Sequence, residues 1–358
     1  MPYKPSDPLD LGQKLVALLD GGRRTATYKL AVLMALLDLS VESVPADPYA
    51  AVDIDLDRLT TRVIELYWRQ LRPLDGHRLR QSTDGRGVIF TTVADLRDEL
   101  TRAHRTPTID LVVAEGSVAY VAAHTTVKRT LVRYPLKLLQ NVTTATEHER
   151  FLYDDSWMGT ASERAIADHG NKLQLFPGVC TTLARLAPLL KPAFQLSWVD
   201  DVRRMNKTLL ADGPDIADHL FGADRVSLLK AGDVLANEFG PHCFYCAARL
   251  TTTRHVDHVL PWARVGIDGL ANLVLACPSC NSNKSDLLPS PTLVDRALDR
   301  GRSVLDALAA DINWPSQFDR VVSAAHGLFA TQPESTPVWL GRRDIGVLGR
   351  FDFDWYTG

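Results

Sequence analysis

Residues 242–289 read HCFYCAARLTTTRHVDHVLPWARVGIDGLANLVLACPSCNSNKSDLLP, and the cysteines and polar residues of this segment define its structure. It contains two C-x-x-C pairs, Cys243/Cys246 and Cys277/Cys280, about thirty residues apart. Four thiolates at this spacing form a closed tetrahedral set, which is typical of structural zinc. A redox role is the alternative for a C-x-x-C pair, but two pairs in one short segment without a βαβ context favour zinc.

The segment between the cysteine pairs predicts two strands followed by a short helix. His255–His258, with Val-Leu-Pro after it, alternates polar and apolar residues as a strand does. The second strand is Leu273–Ala276, with Asn272 just before it, and the helix begins near Asn281. A module of about fifty residues has little core of its own, so zinc would supply much of its folding free energy.

This order of residues resembles the HNH, or ββα-metal, endonuclease family over about residues 240–290. The matching elements are Asp-His-Val-Leu-Pro at the end of a strand, Asn-Leu-Val-Leu after a loop, and Cys-x-x-Cys-Asn-x-x-Lys at the end. Together they are specific because the acid-His pair, both Asn residues and the Lys occur in order inside or beside the zinc knuckles. The resemblance implies an endonuclease that cuts phosphodiester bonds with a divalent metal ion.

The resemblance also implies a role for each matching residue. His258 corresponds to the general base, Asp257 and Asn281 to ligands of the catalytic ion, and Asn272 to the residue that holds the loop and aims the imidazole. Lys284 corresponds to a lysine near the phosphate. Many relatives have His in place of Asn281, but the HNH domain of RNA-guided CRISPR nucleases is similar in having Asn there.

The chemistry of these side chains agrees with those roles on independent grounds. Histidine is the only side chain with an unperturbed pKa near neutrality, which suits a general base such as His258. One carboxylate, Asp257, and one amide oxygen, Asn281, make a hard site that suits Mg²⁺ or Mn²⁺ over zinc. The module is therefore predicted to use two metals, structural zinc and a catalytic Mg²⁺ or Mn²⁺.

Other polar and aromatic residues of the module have simpler interpretations. We interpret His255 as strand filler or a phosphate neighbour, because the Asp-His pair already supplies the base and the ligand. Trp262 is interpreted as a packing residue, with a contact to a nucleic-acid base as the alternative. Arg264 and Asp268 lie in the loop, where exposure to solvent is the default expectation. His242 would be a zinc ligand only if one cysteine were absent.

The rest of the chain predicts an α+β protein with several parts. The chain has 358 residues, of which 46% are hydrophobic and 23% charged, an ordinary composition for a folded protein of two or three structural units. We expect a helical region at 1–105, a mixed and mainly helical region at 106–236, the HNH module at 237–290 and a short helical extension at 291–358.

Specific elements are predicted within the first two regions. Thr27 is expected to cap a helix over YKLAVLMALLDLSVE that is buried on nearly all sides, and residues 56–71 form an amphipathic helix. Residues 108–123 favour a β-hairpin that turns at Glu115-Gly116-Ser117. Residues 156–236 look helical throughout, apart from turn signals.

A local excess of positive charge is the candidate surface for nucleic acid. The whole chain has a formal net charge of -3 and a pI of about 6.4, which gives no general attraction to polyanions. Residues 58–137, however, contain fourteen Lys or Arg against eight Asp or Glu. Arg129, Arg133 and Lys137 are four residues apart, although Pro135 counts against a continuous helix, so a DNA contact and a solvated face both remain open.

Two further predictions concern the location of the protein and its isolated cysteine. The amino terminus lacks the order of a secretory signal and no apolar run approaches a membrane span, so we expect a cytoplasmic protein without a membrane segment. Cys180 stands alone and is interpreted as a small buried apolar residue.

The preferred function is DNA cleavage, with restriction or anti-phage defence suggested only by analogy. The alternatives are an RNA-cleaving nuclease and a non-catalytic zinc module that docks on nucleic acid or protein. A single-site enzyme cuts two strands either as two protomers or by sequential nicks, and a homodimer is the preferred expectation. What residues 1–235 recognise is left open.

Overall fold

The computed structural model describes residues 7–20, 24–102, 108–141, 148–159, 162–210, 216–221, 228–251 and 254–350. The chain forms two compact units, Met1–Gly222 and Ala223–Gly358. The elements of the first unit are α1 (Pro8–Asp20), α2 (Tyr28–Val41), β1 (Val52–Asp55), α3 (Leu56–Gln70), α4 (Val88–Arg102), α5 (Ile109–Glu115), α6 (Val118–Leu131), a π-helical turn (Val132–Leu136), α7 (Lys137–Leu139), α8 (Glu163–Asp168), β2 (Lys172–Leu175), α9 (Val179–Met205) and α10 (Ala217–Phe221).

The second unit contains the cysteine-bearing segment and the chain that follows it. Its elements are α11 (Leu229–Phe239), β3 (His255–His258), α12 (Trp262–Val265), a 3₁₀ turn (Leu270–Asn272), β4 (Leu273–Ala276), α13 (Pro278–Lys284), α14 (Pro291–Leu298), α15 (Arg302–Asp311), α16 (Phe318–Ala330), β5 (Pro337–Gly341) and β6 (Asp344–Val347). The α+β fold class, with a mostly helical amino-terminal part and a ββα segment toward the carboxyl end, is confirmed.

The core of the first unit is built around α2. This helix is buried from Leu30 to Val41, as its apolar circumference predicted, and it packs against the long helix α9. Thr27 does occupy the N-cap position, but the prediction that its side chain caps the helix is wrong. Its hydroxyl instead lies 2.8 Å from the hydroxyl of Tyr67 and bonds to Gln81, because it is buried among polar groups that need partners.

The hairpin predicted at residues 108–123 is wrong, because the structure has two helices, α5 and α6, in its place. Gly116 adopts the left-handed conformation, φ 56°, and ends α5 as a C-cap. Ser117 then caps α6 by accepting a hydrogen bond from the backbone N–H of Tyr120. The Gly-Ser pair is therefore a helix-to-helix junction, and packing overrides the β-branched composition of the flanking runs.

Two further segments differ from the sequence-based expectation. Residues 172–175, expected to be helical, form strand β2, which pairs antiparallel with β1 so that Val52 faces Leu175. Pro135, expected to interrupt the helix after residue 131, is accommodated inside it by the π-helical turn. Proline lacks the N–H of an α-helical bond and its ring crowds the preceding turn, and the wider turn relieves both problems.

The carboxyl-terminal residues of the second unit, expected to form a short helical extension, contain the three helices α14, α15 and α16 and the hairpin β5–β6. Strand β5 joins the end of the cysteine-bearing segment, because the Trp339 N–H donates to the Leu288 carbonyl and the Ser290 N–H donates to the Trp339 carbonyl. The indole of Trp339 is buried and meets the Tyr245 ring edge to face, with the ring centroids 4.8 Å apart. These residues therefore belong to the core that supports the ββα segment.

In the described ranges every helix is either too short or too polar to cross a bilayer.

The domain boundaries expected from sequence, 1–105, 106–236, 237–290 and 291–358, stay a prediction.

Candidate active site

The four knuckle cysteines converge on one point of the second unit. Their Sγ atoms all lie within 4.8 Å of one another, and those of Cys246 and Cys277 are 3.9 Å apart. Zinc bound to four sulfurs at 2.3 Å needs Sγ–Sγ separations of about 3.8 Å, so the set fits this ion. Burial raises the pKa of the Cys243 and Cys280 thiols, so a bound dication is what would hold those sulfurs as thiolates.

Local backbone geometry explains how the sequence makes the two knuckles. Ala247 takes a positive φ of 59° directly after the first pair, and its N–H donates to the Cys243 carbonyl, closing a tight turn. Cys277 is the N-cap of α13, where its sulfur accepts from the Cys280 N–H at 3.4 Å. Pro278 stands at the first helical position, which suits its fixed φ and missing N–H.

The strands β3 and β4 and the helix α13 form the ββα frame. The strands are antiparallel, with His255 opposite Ala276 and His258 opposite Leu273. Helix α13 packs on β3. His255 and Asp257 share one face of the strand because side chains alternate, while Asn281 and Lys284 share one face of the helix.

Asp257 is held by two buried partners. Its Oδ2 accepts a hydrogen bond from the Tyr245 hydroxyl at 2.6 Å and lies 3.3 Å from Lys284 Nζ. Burial, reinforced by the Asp257 charge, raises the pKa of Tyr245, so the phenol stays a donor. No described residue makes a hydrogen bond or ion pair with Asp257 Oδ1, which leaves that oxygen as a donor for a cation.

Asn281 contacts His255 across the face between α13 and β3. Its Nδ2 lies 3.1 Å from His255 Nδ1, an arrangement in which neutral imidazole accepts the amide N–H. The amide oxygen then points away from the imidazole, where it could bind a cation. One carboxylate oxygen and one amide oxygen fit a hard ion such as Mg²⁺ or Mn²⁺.

His258 pairs with a residue that the sequence did not single out. Its Nε2 lies 2.8 Å from Asp268 Oδ1, and both side chains are mostly buried, 18% and 22% exposed. The expectation that Asp268 is simply exposed in the loop is therefore wrong, because the loop folds back on the end of β3. Arg264, also expected in solvent, is half-buried, and this burial lowers its pKa.

The Asp268 loop is fixed by the chain that follows the ββα segment. The indole of Trp314 donates to the Asp268 carbonyl at 2.8 Å, and the Leu270 N–H donates to the Pro315 carbonyl at 2.8 Å. A Cβ on Gly269 would lie 2.5 Å from the Ser316 carbonyl oxygen, so only glycine allows this approach. No local sequence signal could have revealed these contacts, because their partners lie more than forty residues away.

Asn272 lies inside the loop and is fully buried. Its Oδ1 accepts from the Leu260 N–H at 2.8 Å, and its Nδ2 donates to the carbonyls of Leu260 and Ile267 at 3.1 and 3.0 Å. The amide thus ties both ends of the loop to the start of β4. Because Leu260 follows His258 by two residues, this clamp also sets where β3 ends.

Lys284 is buried, with 1% of its side chain exposed. Its ammonium donates to the His258 carbonyl at 2.6 Å and faces Asp257. Burial lowers its pKa, and the charge of Asp257 opposes that effect. The sequence placed this lysine near the phosphate, whereas its nearest polar partners here are atoms of β3.

Several basic residues of the predicted phosphate-contacting face form ion pairs or hydrogen bonds with other residues of the first unit. Arg62 is buried and paired with Glu42 at 2.9 Å, and the Lys137 ammonium donates to the Asp155 carbonyl at 2.9 Å. Arg129 lies 3.7 Å from Glu163, while Arg133 is exposed. The surface stays a candidate carried by fewer cations than the sequence count suggests.

Comparison with known families agrees with this division of the chain. Residues 9–220, more than half of the chain, match the family described as Domain of unknown function (DUF8808), and residues 243–287 match HNH endonuclease. No curated protein and no solved structure matches the chain. The chain therefore belongs to the DUF8808 family and carries an HNH endonuclease domain, built on four cysteines positioned to bind a metal, at residues 243–287.

Proposed function

We propose that this chain is an endonuclease that hydrolyses DNA with the help of Mg²⁺ or Mn²⁺. The observation that carries the proposal is the pairing of His258 with Asp268 at the end of the strand that holds Asp257, against which the Asn281 helix α13 packs. A docking module has no chemical need for an imidazole oriented by a carboxylate next to two free oxygen donors.

In the proposed reaction His258 is the general base. It removes a proton from water as the water oxygen bonds to phosphorus, and the bond from phosphorus to the 3′ oxygen breaks. The leaving 3′ oxygen takes a proton from solvent, which gives 3′-hydroxyl and 5′-phosphate ends. Asp268 is a positioning residue, because its contact at Nε2 holds the ring and stabilises the imidazolium that forms.

Asp257 Oδ1 and the Asn281 amide oxygen are the proposed ligands of the divalent ion. A bound Mg²⁺ or Mn²⁺ supplies Lewis-acid stabilisation of the charge that develops on the phosphate and the leaving oxygen. Tyr245 and Lys284 hold the other carboxylate oxygen of Asp257, and His255 orients the amide of Asn281. We propose that Asn272 is a positioning residue for the loop. Lys284 is a positioning residue for β3, and it lies near the phosphate without contacting it.

The direct test is cleavage of supercoiled plasmid by the zinc-loaded full-length chain with Mg²⁺ or Mn²⁺. We expect cutting by the wild type, a loss of at least 100-fold with His258→Ala, and no change with His77→Ala, an exposed histidine of the first unit. Equal cutting by the wild type and His258→Ala contradicts the assignment of the base. No cutting by the wild type on any nucleic acid favours the docking alternative.

A comparison of two labelled substrates distinguishes a DNA-cleaving enzyme from an RNA-cleaving one. Labelled duplex DNA and labelled single-stranded RNA are incubated with the same protein, and the proposal expects faster cutting of DNA. Faster cutting of RNA leaves the proposed chemistry in place and changes the substrate.

We further propose that two chains act together on duplex DNA, because one site cuts one strand at a time. Sedimentation of the chain with and without DNA tests this, and a monomer under both conditions contradicts it.

A role in restriction or anti-phage defence rests on analogy with other large domains followed by an HNH module. A digestion panel of unmodified and modified DNAs tests it. Equal cutting of all members of the panel argues against discrimination of modified DNA.

A further inference from the structure

A cavity of about 330 Å³ lies in the first unit and is lined by residues of that unit. It is formed by the end of α1, the chain that leads into α2, the first turn of α2, and the π-helical turn with α7. The residues that matter most are Arg24, Tyr28, Lys29, Tyr134, Leu138 and Asn141. Its volume is at the lower end of the range of small-molecule sites, which suits one small ligand.

The cavity carries an excess of positive charge. Arg24 is held in place by Asp201 and by the Leu19 carbonyl. Asp201 is shared, because Arg204 also donates to it at 2.7 Å, so one carboxylate serves two guanidinium groups. In the described part of the chain Lys29 has no carboxylate partner, and burial together with the Arg24 charge lowers its pKa. An anion in the cavity would offset this charge.

The amino-terminal end of α2 adds to the positive electrostatic potential in the cavity. Thr27 is at the N-cap but makes no side-chain cap, since its hydroxyl is engaged by Tyr67 and Gln81. The positive end of the helix dipole, beside the cavity, is therefore not offset by a capping oxygen. The cations and the helix dipole therefore both favour an anionic ligand group.

The other wall of the cavity is aromatic and apolar. The π-helical turn around Pro135 places Tyr134 and Leu138 at the cavity, and they remain 55% and 44% exposed. Tyr28 lines the cavity as well, and its hydroxyl accepts a hydrogen bond from the Ile89 N–H at 3.2 Å. Exposed aromatic faces accept a planar ring, and the Asn141 amide supplies both a donor and an acceptor for its edge.

We propose that this cavity binds a nucleoside phosphate, with the phosphate at Arg24 and Lys29 and the base against Tyr134. The cavity volume suits a single nucleotide. The same chemistry has two sources, a free mononucleotide and the 5′-phosphorylated end of a nucleic-acid strand. The proposal extends beyond phosphodiester cleavage, and its test does not depend on that activity.

The test is titration calorimetry on the zinc-loaded full-length chain without added Mg²⁺ or Mn²⁺. The probes are the four nucleoside 5′-monophosphates, the matching nucleosides and inorganic phosphate. We expect at least one monophosphate to bind about tenfold more tightly than its nucleoside and than phosphate alone, because both halves of the cavity then contribute. A 5′-phosphorylated oligonucleotide and its 5′-hydroxyl counterpart are titrated alongside.

Two variants separate the two halves of the cavity. Lys29→Gln removes an unpaired cation and keeps an unbranched aliphatic stem with a polar end, so it should fold normally and weaken monophosphate binding about tenfold. Tyr134→Leu should weaken the monophosphate and leave inorganic phosphate unchanged. Arg164→Gln, which removes a cation with 91% of its side chain exposed elsewhere in the same unit, should change neither. Circular dichroism confirms that each variant is folded.

Several results bear directly on the proposal. Tighter binding of the free monophosphate supports a free nucleotide, and tighter binding of the 5′-phosphorylated oligonucleotide supports a strand end. Absence of binding by every phosphorylated probe at millimolar concentration overturns the proposal. Binding that is the same in the wild type and in folded Lys29→Gln also overturns it.

Discussion

The Asp268 carboxylate lies 2.8 Å from Nε2 of His258 across the loop of the HNH segment. An imidazole with one nitrogen bound to a carboxylate has a fixed tautomer, and Nδ1 is then the nitrogen that can accept a proton. Trp314 holds the Asp268 carbonyl, so the orientation of the imidazole depends on residues outside the segment that matches the HNH family.

Replacing Asp268 by Asn tests this dependence. The variant keeps the shape of the side chain but removes the charge that stabilises the imidazolium, so we expect kcat to fall about 10- to 100-fold with little change in KM. Steady-state cleavage of a labelled duplex measures both constants. Asp268→Glu, which keeps the carboxylate, should lose less. An unchanged kcat in a folded Asp268→Asn variant would show that the contact does not serve catalysis.

Lys284 provides a second test, because its buried position predicts a structural cost. Lys284→Met leaves the Asp257 carboxylate and the His258 carbonyl without their buried partner, which we expect to lower the free energy of unfolding by roughly 3 kcal/mol. Guanidinium unfolding followed by circular dichroism measures the change.

The matched control is Lys230→Met, an exposed lysine on α11, which should stay within about 0.5 kcal/mol of the wild type. A lysine that only touched phosphate from solvent would show the same small change in stability and a higher KM. That result for Lys284→Met would return the residue to the role expected from sequence.

The sequence predicted the parts of the site that local spacing defines. The two cysteine pairs, the strands around Asp257 and Asn272 and the short helix after Cys277 are all set within one segment of fewer than fifty residues. Tyr245 and Asp268 were missed as partners of the site, because only tertiary folding brings them to Asp257 and to His258.

The errors in the first unit have a related cause. Gly116-Ser117 was interpreted as a hairpin turn because β-branched residues flank it, but the same pair also suits a helix C-cap followed by an N-cap. Strand β2 alternates polar and apolar residues over only four positions, and it forms because β1, more than a hundred residues earlier, offers it a partner. Neither outcome is fixed by a short window of sequence.

Asn272 allows a test of the loop clamp. Asn272→Ala removes three hydrogen bonds from a fully buried position, so we expect a loss of about 3 kcal/mol in the free energy of unfolding. Asn272→Asp should lose at least as much, since its carboxylate would face the carbonyls of Leu260 and Ile267. Chemical unfolding measures both variants.

Asn283→Ala is the control for the clamp. Asn283 is half-buried and its single side-chain bond, to the Ser279 hydroxyl, is exposed to solvent, so its loss should stay within about 0.5 kcal/mol. Equal effects of Asn272→Ala and Asn283→Ala would mean that the amide of Asn272 contributes little to the loop.

The number of cysteine thiols that react quickly with a thiol reagent should rise in steps as zinc is removed and the chain is unfolded. Burial raises the pKa of Cys180 to about 12, so roughly one thiol in ten thousand is ionised at pH 8. Because reagents attack the thiolate, Cys180 should react very slowly in the folded protein. The other four should be protected by zinc until a chelator removes it and the segment, which depends on zinc for folding, opens and exposes Cys243 and Cys280.

Titration with Ellman's reagent at pH 8, with a zinc-sensitive dye present, measures both events. We expect almost no fast-reacting thiol in the zinc-loaded chain, four after chelation together with release of one zinc per chain, and five in guanidinium. Cys180→Ala should give four in guanidinium and leave zinc release unchanged. A fast-reacting thiol that Cys180→Ala removes from the zinc-loaded chain contradicts the burial of Cys180, and fewer than four thiols released with zinc contradicts the four-sulfur site.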